Sequence, residues 1–233
     1  MYKIHILDNK ECLQSYVSDY LFGKISNREI FNIALSGGKT PLGIFSNLKK
    51  NNIEMIDNDD VNIFWVDERY VSHSNERSNY GNAYRLLLSN MKHINIFPIP
   101  TDKDLYNCAE LYKRTLNKNL SISDGGTCKF DFVLLGVGED GHVASLFDDK
   151  NKSSEPVLIT KDSNDESRIT LSAHILNNSK EIMLIATGTN KGLIVNDFLE
   201  NNSIGRGINL IRRDLNIVLD EEAAKCLNHA YIK

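Results

Sequence analysis

The chain has 233 residues, 41% of them hydrophobic and 25% charged, with a net charge of −4. That is enough apolar material for one sizeable core, and no Lys/Arg block supplies the electrostatic footprint of a nucleic-acid binder. No run of about 18 apolar residues reads as a membrane span, and MYKIHILDNKE lacks the pattern of a signal peptide. Cys12, Cys108, Cys128 and Cys226 are scattered and form no CxxC pair. Reduced thiols in a cytoplasmic protein, without structural zinc, are therefore expected.

Taken in order, β-rich apolar runs alternate with helical patterns. Tyr2–Leu7 reads as a strand, and Asp8 with Glu11 reads as a capping box opening a helix. Ile30–Leu35, Val61–Val66, Phe130–Leu135 and Ile182–Ala186 read as buried strands. Helices are expected at about Pro41–Lys50, Ser78–Met91, Asp104–Asn119 and Asn190–Leu199. A strand at Leu215–Leu219 precedes a final capped helix over Asp220–Leu227. Polar Lys150–Ser167, interrupted by Pro156, reads as a surface excursion with an added strand near Pro156–Thr160. There is no linker and no repeat, so residues 1–233 form one domain. The alternation implies βαβ units: an α/β fold with a mainly parallel sheet and helices on both faces. Ligands then bind beyond the carboxyl ends of the strands.

Three loops sit at such ends. Ser36-Gly37-Gly38-Lys39-Thr40-Pro41 carries the tail of a Walker A loop, whose first glycine would fall at Ile33, inside a strand. The NTPase reading fails there. Thr40 as N-cap and Pro41 at the first helical position are expected instead. Gly37 and Gly38 allow close approach of a phosphate to the helix N-terminus. An ordinary capped turn explains the same residues. Gly136-Val137-Gly138-Glu139-Asp140-Gly141 matches G-x-G-x-x-G, but two carboxylates lie where a pyrophosphate would sit. Its chemistry lies in His142, whose imidazole suits general acid/base work, with Asp140 placed to orient it. Asp67-Glu68-Arg69 ends a third strand, followed by Ser78 and Asn79 at a helix start. Ser78 suits an N-cap and Glu68 a partner for Arg69, while Arg69 suits an anion held by two parallel bonds.

Together these segments resemble the 6-phosphogluconolactonase family, within the wider glucosamine-6-phosphate deaminase/isomerase superfamily. The resemblance spans nearly the whole chain, in family order: SGGKTP, WVDERYV, ERSNYGNAYRLLL, LLGVGEDGHVASLF, SRITLS, ATGTNKG and LDEEAA. It implies a Rossmann-like fold and hydrolysis of 6-phospho-D-glucono-1,5-lactone to 6-phosphogluconate, in the oxidative pentose phosphate pathway. It also implies His142 as general base, tuned by Asp140. Gly37, Gly38, Thr40, Asp67, Arg69, Ser78, Asn79, Arg168 and Lys191 would line the phosphate and sugar pocket. A δ-lactone is an activated ester, so one base, a water, oxyanion donors and a phosphate clamp suffice, with no metal or cofactor. The expected partner is the phosphorylated lactone, with no nucleic acid or membrane, and the expected state is a monomer or at most a weak dimer.

Val143 stands where the family often has Thr, Asp148 where Pro is common, and Lys39 at a variable position. The deaminase/isomerase branch carries DGHIAFNEP, with a glutamate five residues after the histidine; that position here is Phe147. A non-catalytic sugar-phosphate sensor would usually add a DNA-binding segment, for which a strand starting at residue 2 leaves no room.

Overall fold

The computed structural model describes residues 2–26, 31–51, 60–122, 126–202, 205–212 and 214–231. Strand β1 (Lys3–Leu7) leads into α1 (Lys10–Ser26), then β2 (Phe31–Leu35) and α2 (Lys39–Lys50). Next come β3 (Val61–Trp65), β4 (Asp67–Arg69), α3 (Asn79–Leu86), β5 (Asn95–Phe97) and α4 (Leu105–Asn119). A two-residue pair, β6 (Ser121–Ile122) and β7 (Cys128–Lys129), precedes β8 (Phe132–Gly136). The chain continues through β9 (Val157–Lys161), β10 (Ser167–Leu171), α5 (Ala173–Asn177), β11 (Glu181–Ala186) and α6 (Thr189–Leu199). It ends in β12 (Asn216–Asp220) and α7 (Glu221–Ala224). Ile30, expected to open the second strand, lies outside the described residues.

Seven parallel strands form the central sheet in the order β1-β12-β11-β8-β2-β3-β5. Every residue of β2 is buried, as are four of five in β8 and five of six in β11. Such continuous burial needs cover on both faces, which is why these strands read as unbroken apolar runs. The edge strands β1 and β5 are partly exposed. This is the expected Rossmann-like α/β arrangement. The order reverses between β2 and β8: β3 and β5 build outward from one, β11 and β12 from the other. At such a switch point successive connections leave in opposite directions, and a crevice opens beyond the carboxyl ends.

Two caps differ from expectation. Asn9, not Asp8, caps α1, accepting from Cys12 N at 2.8 Å. Glu11 is then the second helical residue, out of register for a capping box. Likewise α2 begins at Lys39 behind Gly38, with φ 103° and no side-chain cap. Gly38 turns the chain through left-handed backbone, which starts the helix earlier and makes Thr40 and Pro41 its second and third residues. Asp104, Ser78 and Asp220 do cap their helices, but α3 and α7 stop at Leu86 and Ala224.

The polar excursion does contain a strand, but not one added to the main sheet. Strand β9 pairs antiparallel with β10, and β10 with β4, making a second, three-stranded sheet. One residue, Val66, separates β3 from β4, so the chain passes directly from one sheet to the other. Leu171 N donates to Val66 O at 2.7 Å and holds the corner.

Strands β2 and β8 are in register only at Ile33–Phe132 and Ala34–Val133. Beyond that the buried Ser36 hydroxyl bridges them, donating to Leu134 O at 2.8 Å and accepting from Gly136 N at 3.3 Å. Ser36→Ala would leave both backbone groups unpaired, at a cost of about 1–3 kcal/mol. The expected result is a Tm lower by roughly 2–10 °C in thermal unfolding; an unchanged Tm would show that the bridge carries no stability.

Candidate active site

A pocket of about 440 Å³ lies over the switch point. Ser36, Gly37 and Gly38 enter it from β2, Asp67 and Arg69 from β4, and Gly136 to Glu139 from β8. Ile185 and Thr187 come from the end of β11, and Lys10, Lys39, Thr40 and Lys191 from the first turns of three helices. The Thr40 and Thr187 hydroxyls meet across it at 3.4 Å.

His142 reaches the pocket from the loop after β8. That loop is cross-braced: Gly138 N donates to His142 O at 2.8 Å, Gly141 N to Gly138 O at 3.0 Å, and Ile208 N to Gly141 O at 2.9 Å. His142 Nδ1 lies 2.5 Å from Asp140 Oδ1, which also accepts from His142 N at 3.2 Å. A carboxylate accepts only, so in the neutral ring Nδ1 carries the proton and Nε2 keeps its lone pair. That is the tautomer of a base. The Phe147 ring packs beside the imidazole, with centroids 5.2 Å apart. Gly138 is required by close approach. A Cβ there would sit 2.3 Å from His142 Nδ1 and 2.6 Å from Asp140 Oδ1.

The Asp67-Glu68-Arg69 segment alternates across β4. Glu68, 1% exposed, does not pair with the Arg69 guanidinium. It accepts from Asn79 N at 2.7 Å, Tyr80 N at 2.9 Å and the Ser78 hydroxyl at 2.9 Å, and so secures the start of α3. Burial pushes its carboxyl up, and these donors oppose the shift. Asp67 faces the pocket with both oxygens engaged: Ser145 Oγ donates to one at 2.7 Å and Asn79 Nδ2 to the other at 3.2 Å. Ser145 belongs to the His142 loop, so this bond ties the two walls together.

Four cations line the pocket (Lys10, Lys39, Arg69 and Lys191) against two carboxylates, Asp67 and Glu139. Both α2 and α6 start behind a positive-φ glycine without a side-chain cap, so their first amides remain open to an anion. At α6 the Gly188 amide is already taken by Asp220 at 2.9 Å. Burial holds the Lys191 ammonium below the ordinary lysine value; Glu139 opposes that shift and Lys10 adds to it. Among the described residues no group of three His, Cys, Asp or Glu is arranged to hold a metal, and no helix is long and apolar enough to cross a membrane.

Gly37, Gly38, Thr40, Asp67, Arg69, Asn79, His142 and Lys191 thus meet in one pocket, with Asp140 directly behind His142. Two expected residues do not line it. Ser78 is fully buried and serves α3 as its cap. Arg168 is held outside by Asp162 and Glu166, at 2.6 and 2.7 Å. Asp148 also lies off the pocket, its Oδ1 accepting from Lys150 N at 2.8 Å, and Val143 is fully buried where an apolar side chain packs well. Lys10, Ser36, Glu139 and Thr187 line the pocket but were not among the expected pocket residues, although each lies just past the carboxyl end of a strand.

Residues 10–212 match the family model described as glucosamine-6-phosphate isomerases/6-phosphogluconolactonase. The chain belongs to this family. A 6-phosphogluconolactonase of Treponema pallidum is 29% identical over 196 residues, covering 81% of this chain and 80% of that one. One of Aggregatibacter actinomycetemcomitans is 32% identical over 175 residues, covering 71% and 72%. The solved 6-phosphogluconolactonase of Trypanosoma brucei superimposes with a TM-score of 0.85 at 25% identity, covering 98% of this chain and all of that one.

Two consequences of the site's geometry can be measured. In Gly138→Ala the methyl collides with the His142–Asp140 pair. The downfield imidazole N–H signal of the wild type should vanish by NMR while the circular dichroism stays native; a retained signal would contradict the close approach. For Lys191, the unfolded chain binds the extra proton between the depressed folded value and about 10.4, so stability rises with pH through that window. Below it the whole burial penalty is present. Lys191→Met should therefore raise the Tm of the unliganded protein at pH 7. A lower Tm would reject the penalty.

Proposed function

We propose that this family member is a 6-phosphogluconolactonase, hydrolysing 6-phospho-D-glucono-1,5-lactone to 6-phosphogluconate. One observation carries the reading. An imidazole whose Nδ1 is engaged by Asp140 shares a pocket with four cations and two uncapped helix N-termini. One part suits proton transfer, the other a phosphate at the far end of a small ligand.

In this mechanism His142 Nε2 takes a proton from water as the water oxygen bonds to the lactone carbonyl carbon. The tetrahedral intermediate collapses by breaking the bond to the ring oxygen, which receives the proton back from His142. The product is an open-chain acid that ionises. Asp140 fixes the tautomer and stabilises the transient imidazolium. Arg69, Lys191 and the α2 amides, with Lys39 and Lys10 nearby, hold the phosphate, and Gly37 and Gly38 let it come close. Thr40, Asp67 and Asn79 shape the sugar end. Clamping the remote phosphate converts binding energy into orientation at the reacting carbon. In the pathway, this is the second step of the oxidative branch.

The family description also names isomerases. Beside His142, where a second carboxylate would serve ring opening, stands the Phe147 ring. That favours hydrolysis. The test is a coupled assay with freshly generated lactone, corrected for spontaneous hydrolysis. His142→Ala is expected to cost ~10²–10⁴-fold in kcat with the fold intact. Near-normal turnover in the folded variant would remove His142 as base, and ammonia release from glucosamine 6-phosphate by the wild type would replace the lactonase assignment.

A further inference from the structure

Beside the pocket lies an ion cluster that the mechanism leaves unused. Arg168 on β10 is directly opposite Arg69 on β4 in the antiparallel register. Directly opposed residues project from the same face, so two guanidiniums start side by side and repel. Two carboxylates offset this. Arg168 Nη2 donates to Asp162 Oδ2 at 2.6 Å and lies 2.7 Å from Glu166 Oε2. Asp162 accepts in turn from Asn164 N at 2.9 Å and Glu166 N at 3.0 Å, and the Arg168 guanidinium holds its carboxyl below the usual range. Arg168 Nε is buried without a partner, so the bonds at Nη2 fix the guanidinium.

The cluster continues to the pocket. Glu166 Oε1 pairs with Arg77 Nη1, and the Arg77 carbonyl accepts from Arg69 Nη1. Tyr70 N donates to Ser167 O at 3.0 Å and locks the two backbones at the same place. Arg69 itself lines the pocket. The side chains of Arg168 and Glu166 are 12% and 20% exposed, so water screens their pairing only in part. Arg77 is 59% exposed and lies on a polar loop whose backbone is braced locally, Arg77 N donating to Asn75 Oδ1 at 2.9 Å and Ser78 N to Asn75 O at 3.0 Å. Without Glu166 nothing in this cluster fixes the Arg77 side chain, and the segment whose carbonyl accepts from Arg69 loses its side-chain tie to the residue before β10.

We propose that Arg168 is a positioning residue for Arg69: it acts through Glu166 and Arg77 and sets how tightly the pocket holds its phosphorylated ligand without touching it. The proposal rests on the lactonase reading for the identity of that ligand. The relay itself rests on bonds that do not depend on it.

A double-mutant cycle tests it. Arg168→Gln and Glu166→Gln should each raise KM for the lactone by ~3–10-fold with little change in kcat. In an Arg69→Ala background, Arg168→Gln should add nothing further. Independent, multiplying losses in the double variant would overturn the relay, because they would mean that Arg168 meets the ligand directly. An unchanged KM in Arg168→Gln would overturn it as well. If Arg168→Gln does not fold, Glu166→Gln breaks the relay at its middle while leaving Asp162 on Arg168, and the same cycle with Arg69→Ala applies. The cycle read as Kd for inorganic phosphate separates the two proposals. Coupling there in a protein without lactonase turnover would sink the lactonase and support the relay.

Discussion

The Ser36 hydroxyl sits where the central sheet stops being a sheet. Strands β2 and β8 need to pair to close the core, yet separate at their carboxyl ends for a ligand to enter. The backbone ladder cannot do both. Ser36 replaces its last rungs with one side chain, satisfying Leu134 O and Gly136 N across the widening gap. The β2 glycine loop and the β8 histidine loop can then diverge without leaving buried backbone groups orphaned. Most of the pocket hangs from those two loops and from the corner at Val66, while Lys10, Thr187 and Lys191 enter from α1, the end of β11 and α6.

Around that crevice the fold carries features that work against its own stability. Lys191 is half-buried with its proton disfavoured. Four cations converge, and two helices begin without side-chain caps. Each is unfavourable in the empty protein, and under the proposed function the substrate phosphate would offset it. The polar residues behind the pocket are satisfied in the opposite sense. Glu68 spends both oxygens on the start of α3, and Asp67 spends both on Ser145 and Asn79. One set of charges is left open in the pocket; the other is satisfied and makes the walls rigid. Ala144, in the His142 loop, shows the same tension in the backbone, with φ 50° in a non-glycine residue that lines the pocket.

Much of this was legible in one dimension. The main-sheet strands announced themselves because burial on both faces requires continuous apolar runs. The short edge strand β5 did not, since three residues give no pattern. The caps at Ser78 and Asp220 were readable because an extended residue with a short polar side chain before a helix has few other uses. The cap at Asn9 was missed because the adjacent Asp8 offers equivalent chemistry, and the start behind Gly38 because a positive-φ turn leaves no side-chain signal. Local propensity does not choose between neighbours. Arg168 misled for a related reason: a cation in a motif looks the same whether its partner is a ligand or a carboxylate two residues away.

The sequence by itself determined the alternation of strands and helices, hence the parallel sheet, and it determined His142 with Asp140, whose spacing within one turn is local. It also excluded the NTPase loop, through Ile33. Tertiary structure alone decided that residues about a hundred positions apart share a pocket, that Asp67 meets Ser145, and that Arg168 lies opposite Arg69. The physical reason is that strand order and antiparallel register are set by global packing. Side-chain partners across a sheet depend on that register, and no window of sequence contains it.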